Sequence, residues 1–145
     1  MKTTLVLATA FLLLAGCAAP PATSPTTSYD AVQRAAAAAP DGVFDTYALE
    51  VRATGREHGH IYLNSEMDYR DQRNVTVEIL PTAIPAFRQA YGQDADTYLQ
   101  GRRILVSGEA KRVTIWFFAN GKQTDKYYYQ THILVADPSQ IQLGS

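Results

Sequence analysis

Val75-Thr76-Val77-Glu78-Ile79 alternates apolar and polar residues without a break, so this segment must bury one face of a strand and wet the other. Tyr47, Leu49 and Val51 alternate with Ala48, Glu50 and Arg52 in the same way. Gly55 and Gly59 bracket Arg56-Glu57-His58, a bend or hairpin leading into a second strand at Ile61-Tyr62-Leu63-Asn64. Polar residues from Ser65 to Asn74 form a longer connection. Pro81 closes the Val75–Ile79 strand. Ile84, Phe87, Arg88 and Tyr91 then fall at helical spacing before Gly92, and a further turn from Asp94 to Gln100 ends at Gly101. Ile104-Leu105-Val106 opens a fourth strand, in which Gly108 implies a bulge or a close backbone approach. Val113 to Phe118 and Tyr127 to Val135 flank Asn120-Gly121, a strong hairpin signal, and 119–126 reads as a mobile tip. Asp137-Pro138 ends the last strand, because proline has no amide to donate.

The N-terminal region has a different character. Ala18 to Thr27 is rich in Ala, Pro, Ser and Thr and has no charge, which is the composition of a tether. Ser28 caps an expected short Ala-rich helix that Pro40 ends, too short to persist unless it packs on the domain. Three divisions follow: a secretory segment at 1–16, a flexible tether with a short helix at 17–40, and one domain at 41–145. About 100 residues suffice for a single core. The formal charge of −1 argues against strong nonspecific attraction to nucleic acid. Cys17 is the only cysteine, so no intramolecular disulfide can form.

Lys2, an apolar run from Leu5 to Leu14 and then Leu14-Ala15-Gly16-Cys17 resemble the signal and lipobox of bacterial lipoproteins. The run is about half the ~20 residues of a membrane span, which fits a cleaved signal. The resemblance implies cleavage before Cys17, lipidation of its thiol with palmitate-type acyl chains, and attachment to a membrane. Ala18 stands where inner-membrane lipoproteins of enteric bacteria often carry Asp. The implied address is therefore the cell envelope, at the outer membrane facing the periplasm.

Three strands, a helix and two strands follow the chain order of the OB-fold, a five-stranded Greek-key barrel with one helix between strands 3 and 4. From Tyr47 to Ile141 the chain also resembles the bacterial OB-fold domains found as nucleic-acid-binding-type tails on secreted thermonuclease-like proteins. The residues that carry this resemblance are Ile61-Tyr62-Leu63-Asn64, Asp68-Tyr69-Arg70-Asp71, Val75 to Ile79, Leu99 to Gly108 and Asp137-Pro138-Ser139-Gln140-Ile141. Arg102 stands where the family usually has lysine, and the hairpin from Trp116 to Tyr129 is longer than its members show. No nuclease domain accompanies the match, so the resemblance implies a fold and a binding role without a reaction.

In OB-folds the ligand lies across strands 2 and 3, rimmed by the loops joining strands 1–2 and 4–5. That mapping selects Arg56, His58, His60, Tyr62, Asn64, Tyr69, Arg70, Arg73, Trp116, Phe118, Lys122, Lys126, Tyr127 and Tyr129. Rings beside cations suit single-stranded nucleic acid; the same rings stack on sugars or grip a protein. Alternating aromatics in a hairpin also serve as core, which accounts for at least half of them. His58, His60 and the distant His132 invite a metal reading, but histidines in a glycine-flanked loop are commonly just solvated, and no metal or cofactor is expected. No nucleophile elbow or phosphate loop is present, so no catalytic residue is assigned. The expectation is a non-catalytic binding or accessory module for nucleic acid or oligosaccharide. The alternative is a scaffold or assembly factor for an envelope protein, and a metal-dependent hydrolase ranks below both.

Overall fold

The computed structural model describes residues 24–144. The secretory segment 1–16, the lipidation residue Cys17 and positions 18–23 of the expected tether lie outside the described residues. The fold is mainly β. In chain order the elements are β1 (Thr26–Thr27), α1 (Ser28–Ala38), β2 (Val43–Glu50), β3 (Ala53–Glu57), β4 (His60–Asn64), β5 (Val75–Ile79), α2 (Ile84–Tyr91), α3 (Ala95–Leu99), β6 (Arg103–Ala119), β7 (Lys122–Val135) and β8 (Ile141–Leu143).

All eight strands form one mixed sheet, ordered β1-β2-β6-β7-β5-β4-β3, with β8 paired to β6. This corrects the expected closed five-stranded barrel: the hydrogen-bonded path is open, and three helices are present among the described residues. The chain changes partners at Val51-Arg52. The Val51 amide donates to the Arg102 carbonyl, whereas the next amide, Arg52, donates to the Asn64 carbonyl. One continuous segment thus pairs with β6 through β2 and with β4 through β3, placing its two halves at opposite ends of the path.

Strand alternation sorts the core. Tyr47, Leu49, Val51, Ile61, Leu63, Val75, Val77, Ile79, Ile104, Val106, Ile133 and Val135 are buried on one face of the sheet. Phe87 of α2 and Leu99 of α3 are fully buried in the same cluster, each contributing about 1.5–3 kcal/mol by burial. Gly108 marks a close approach: an added Cβ would sit 2.8 Å from Ile133 Cγ2.

Helix α1 belongs to this core, so the folded unit begins well before Asp41. Ala31 and Ala35, four residues apart on one helix face, are both fully buried. The cap is Thr27 rather than Ser28, its side chain accepting from the Asp30 amide at 3.1 Å. A polar staple secures the segment. Asp45 of β2 accepts from Thr26 at 2.7 Å, from Arg34 at 2.6 Å and from the Thr46 amide at 2.8 Å. These hydrogen bonds, that of Thr26 foremost, hold the Asp45 carboxyl at about 2 against an ordinary 3.8.

The long hairpin is also more ordered than expected. Ala119 pairs with Lys122, leaving Asn120 (φ 50°) and Gly121 (φ 73°) as a two-residue turn, so 122–126 are strand rather than loop. Positive φ at both turn positions is what a tight hairpin with native twist requires.

Ala35→Leu should overpack the α1 interface and cost about 1–3 kcal/mol, whereas Ala36→Leu on the exposed side should change stability by less than about 0.5 kcal/mol. Urea unfolding of the two variants checks this; equal effects would mean that α1 does not pack. Because the folded Asp45 value is depressed, its contribution is present above its ordinary value and lost as pH falls toward about 2. NMR titration should place its midpoint near 2, with α1 amides losing protection in step, and Asp45→Asn should abolish the acid-dependent part of that loss.

Candidate functional site

The face of the sheet opposite the core is polar where β3, β4, β5 and β7 meet. Alternation dictates its membership: with Ile61, Leu63, Val75, Val77 and Ile133 inward, the outward residues are Tyr62, Asn64, Thr76, Gln130 and His132. Register brings them together, pairing Asn64 with Thr76 and Thr76 with His132. Beyond the end of β5, the β6–β7 hairpin continues and adds Tyr128 opposite Ile115. The loop from Ser65 to Asn74 contributes Met67 and Tyr69. These residues line a groove of about 660 Å³. Gly55, paired with Tyr62, leaves its β3 side open, since an added Cβ there meets nothing within 4 Å.

The loop is held by a buried amide. Asn74 Nδ2 donates to Asn64 Oδ1 at 3.1 Å and to Thr76 Oγ1 at 2.9 Å, while Asn74 Oδ1 accepts from the Glu66 amide at 3.0 Å. Thr76 Oγ1 donates to Asn64 Oδ1 at 2.8 Å, and Ser65 Oγ accepts from the Val75 amide at 2.8 Å. Asn64 was selected as a ligand contact; its side chain is instead committed to this network, only 6% of the residue being exposed. The network fixes where Tyr69 stands over the groove.

Two of the expected cations, Arg56 and Arg73, are ion-paired. Arg56 borders the groove, but its guanidinium meets Asp94 at 2.6 Å and Asp96 at 2.7 Å, while Arg88 also binds Asp94. These hydrogen bonds lower both carboxyls and raise Arg56. Arg73 pairs with Asp71 at 2.6 Å, and Arg70 stacks 4.7 Å from the Tyr69 ring centroid. Lys122 and Lys126 are exposed on the hairpin, outside the groove lining.

The predicted aromatics divide. Tyr62 and Tyr69 line the groove. Trp116, Tyr127 and Tyr129 share the face of Ile133, opposite to Tyr128, and pack tilted and edge-on with centroids 5.0 and 5.4 Å apart. Arg112 caps that row 4.3 Å from the Tyr129 ring. Phe118, past the register shift near the turn, is exposed and outside the lining. These four expected contacts therefore lie away from the groove.

The histidines separate as well. His58 sits in the β3–β4 turn at φ 49° with its ring exposed, so it does not share a strand face with His60. His60 Nδ1 lies 2.8 Å from Glu78 Oε1 yet is misaligned for a hydrogen bond, leaving that nitrogen buried without a hydrogen-bond partner among the described residues. His132 meets the other Glu78 oxygen at 3.1 Å. Among the described residues no three or more His, Cys, Asp or Glu side chains are grouped to hold a metal ion. Burial raises the Tyr62 hydroxyl, with Glu78 and Glu57 adding to it, and burial likewise raises Tyr128.

Sequence reasoning missed Gly55, Met67, Thr76, Tyr128 and Gln130, and weighed His132 only as a metal ligand. A signal existed for three of them: counting back by twos from the apolar Val135 and Ile133 puts 131, 129 and 127 inward, and 132, 130 and 128 outward. Comparison with protein-family models and with curated proteins finds no match for the chain.

Asn74→Ala should destabilise the fold by at least about 2 kcal/mol, because Asn64 and Thr76 would lose a buried donor. Amide exchange across 65–74 should accelerate more than in β6. An unchanged exchange pattern would show that the loop is held by something else.

Proposed function

We propose that this chain is a non-catalytic binding module whose groove takes a segment of uncharged or weakly charged oligosaccharide. The observation that carries this reading is a single groove walled by Tyr62, Tyr69 and Tyr128, floored by Thr76, Gln130 and His132, and bordered by an arginine already neutralised by two aspartates. Sugar rings stack their apolar faces on aromatic rings and hydrogen-bond their hydroxyls to amides and hydroxyls, both of which the groove presents together. Nucleic acid needs unpaired cations along its phosphates, and here Arg56 and Arg73 are bound to carboxylates.

The strand order supports an OB-type relationship. Val43 to Glu57 acts as one bent strand shared between β6 and β4, helices fall between β5 and β6, and β5 pairs in parallel with β7. Within that topology the groove lies on the strands where OB-folds take their ligands. The lipobox-like Leu14 to Cys17 supports a lipid-anchored protein of the outer membrane facing the periplasm, a compartment rich in glycans. A second reading has its own observation: the exposed row of Trp116, Tyr127 and Tyr129 suits an envelope protein partner and a scaffold role.

Titration with peptidoglycan fragments should show binding that changes less than about twofold between 50 and 200 mM salt. Tyr62→Ala and Tyr128→Ala should each weaken it about tenfold, equivalent to about 1.4 kcal/mol. Gly55→Phe should block the groove without unfolding the protein, since its side chain enters open space. Trp116→Ala should leave glycan affinity intact. Steeply salt-dependent binding of single-stranded DNA, with no glycan binding, would overturn the proposal.

A further inference from the structure

We infer that His132, acting through Gln130, sets whether the Tyr128 hydroxyl offers the groove a hydrogen-bond donor or an acceptor. This rests on the groove being the binding site. The His132 side chain is only 14% exposed, and both ring nitrogens face oxygens: Nδ1 lies 3.1 Å from Glu78 Oε2 and Nε2 lies 2.7 Å from Gln130 Oε1. A neutral imidazole has one N–H and one lone pair, so it cannot satisfy two acceptors. With the Gln130 amide in this orientation the network calls for an extra proton, on the imidazole or on Glu78; with the amide turned over, a neutral His132 satisfies both contacts.

That proton dictates the next contact. With Gln130 Oε1 accepting from His132, the amide nitrogen of Gln130 faces Tyr128 and donates to its hydroxyl oxygen at 2.8 Å. With the Gln130 donor on the oxygen, the Tyr128 hydrogen is free to point at a ligand. Removing the proton reverses the chain. The carboxylate keeps the Nδ1 hydrogen, Nε2 becomes a lone pair, and the Gln130 amide must turn over to donate to it. Gln130 Oε1 then faces Tyr128, whose hydroxyl donates inward and leaves only oxygen lone pairs toward the groove.

The charged and titratable surroundings of His132 come from four strands. Glu78 stands on β5, His60 and Tyr62 on β4, Lys111 is its cross-strand partner on β6, and Tyr128 shares β7. Since β4 and β5 bring His60 to the second Glu78 oxygen, the carboxylate is flanked by imidazoles on both sides. The ligand class follows from the polarity of Tyr128. The protonated state favours sugars bearing a strong acceptor, such as the acetamido carbonyl of an N-acetylated oligosaccharide, and the deprotonated state disfavours them.

The test has two arms on the full-length chain. In the ligand-free protein, nitrogen NMR across a pH series should show the proton leaving His132 Nε2 while the Gln130 side-chain amide signals shift in step with it. A single neutral tautomer throughout, or a Gln130 amide that does not follow, would overturn the coupling. In the second arm, affinity for an N-acetylglucosamine trimer should fall about fivefold to tenfold over that series, as expected for one hydrogen bond lost. Tyr128→Phe and Gln130→Leu should each bind more weakly and lose that pH dependence; pH dependence retained in both would place the sensing group elsewhere. No binding of the trimer at any pH would count against the groove itself, and the nitrogen titration would still decide the coupling.

Discussion

The change of partner between Val51 and Arg52 is the constraint from which the rest of the architecture follows. Val51 is fully buried, its amide bound to the Arg102 carbonyl and its carbonyl accepting from the Gly101 amide, while the Arg52 amide turns to Asn64. Backbone polar groups in a core must be paired, so a strand leaving one neighbour must meet another at once. The loop ending at Gly101 (φ 74°) and the end of β4 are thereby held on either side of one residue pair. From there β3 runs alongside β4 and brings Gly55 beside Tyr62, which opens the groove.

The hairpin shows how one alternating pattern serves two ends. Along β7 the inward positions bury Ile133 and Val135 in the core, and farther out the same face carries Tyr129 and Tyr127 beyond the reach of β5. A two-stranded ribbon is marginal by itself, and here cross-strand aromatic pairs brace it on both faces, Trp116 with Tyr127 and Phe117 with Tyr128. The ribbon's outward face completes the groove and its other face stays exposed. Stability and binding therefore draw on the same residues along different edges.

The arginine beside the groove is committed to carboxylates. Asp94 and Asp96 at the start of α3 take up Arg56 and Arg88, joining the helical connection to the β3 end of the sheet. Such partly exposed pairs contribute only modestly to stability. Their larger consequence is for recognition: Arg56 reads in sequence as a phosphate ligand and in the fold as a neutralised structural link. The buried network around Asn74 works in the same direction, spending polar side chains on the loop and leaving tyrosine rings, an amide and an imidazole toward the ligand.

The period of two along Tyr47–Val51, Val75–Ile79 and Ile133–Val135 was enough to predict a mainly β chain, its inward faces and most of its strands, because burial of one face is a local property of alternation. Asn120-Gly121 marked the hairpin, since few other residue pairs accept positive φ twice in succession. Local pattern is silent on partners many residues away. The alanines of α1 look alike in sequence, and only packing against the sheet distinguishes Ala31 and Ala35 from Ala36. Whether Arg56 is free, which of three consecutive tyrosines faces the groove, and that Glu78 lies between His60 and His132 depend on strand register across the sheet. Tertiary structure decided these points because hydrogen-bonded pairing converts separations such as the 54 residues between Glu78 and His132 into contacts of about 3 Å, a length scale on which charge and proton position are settled.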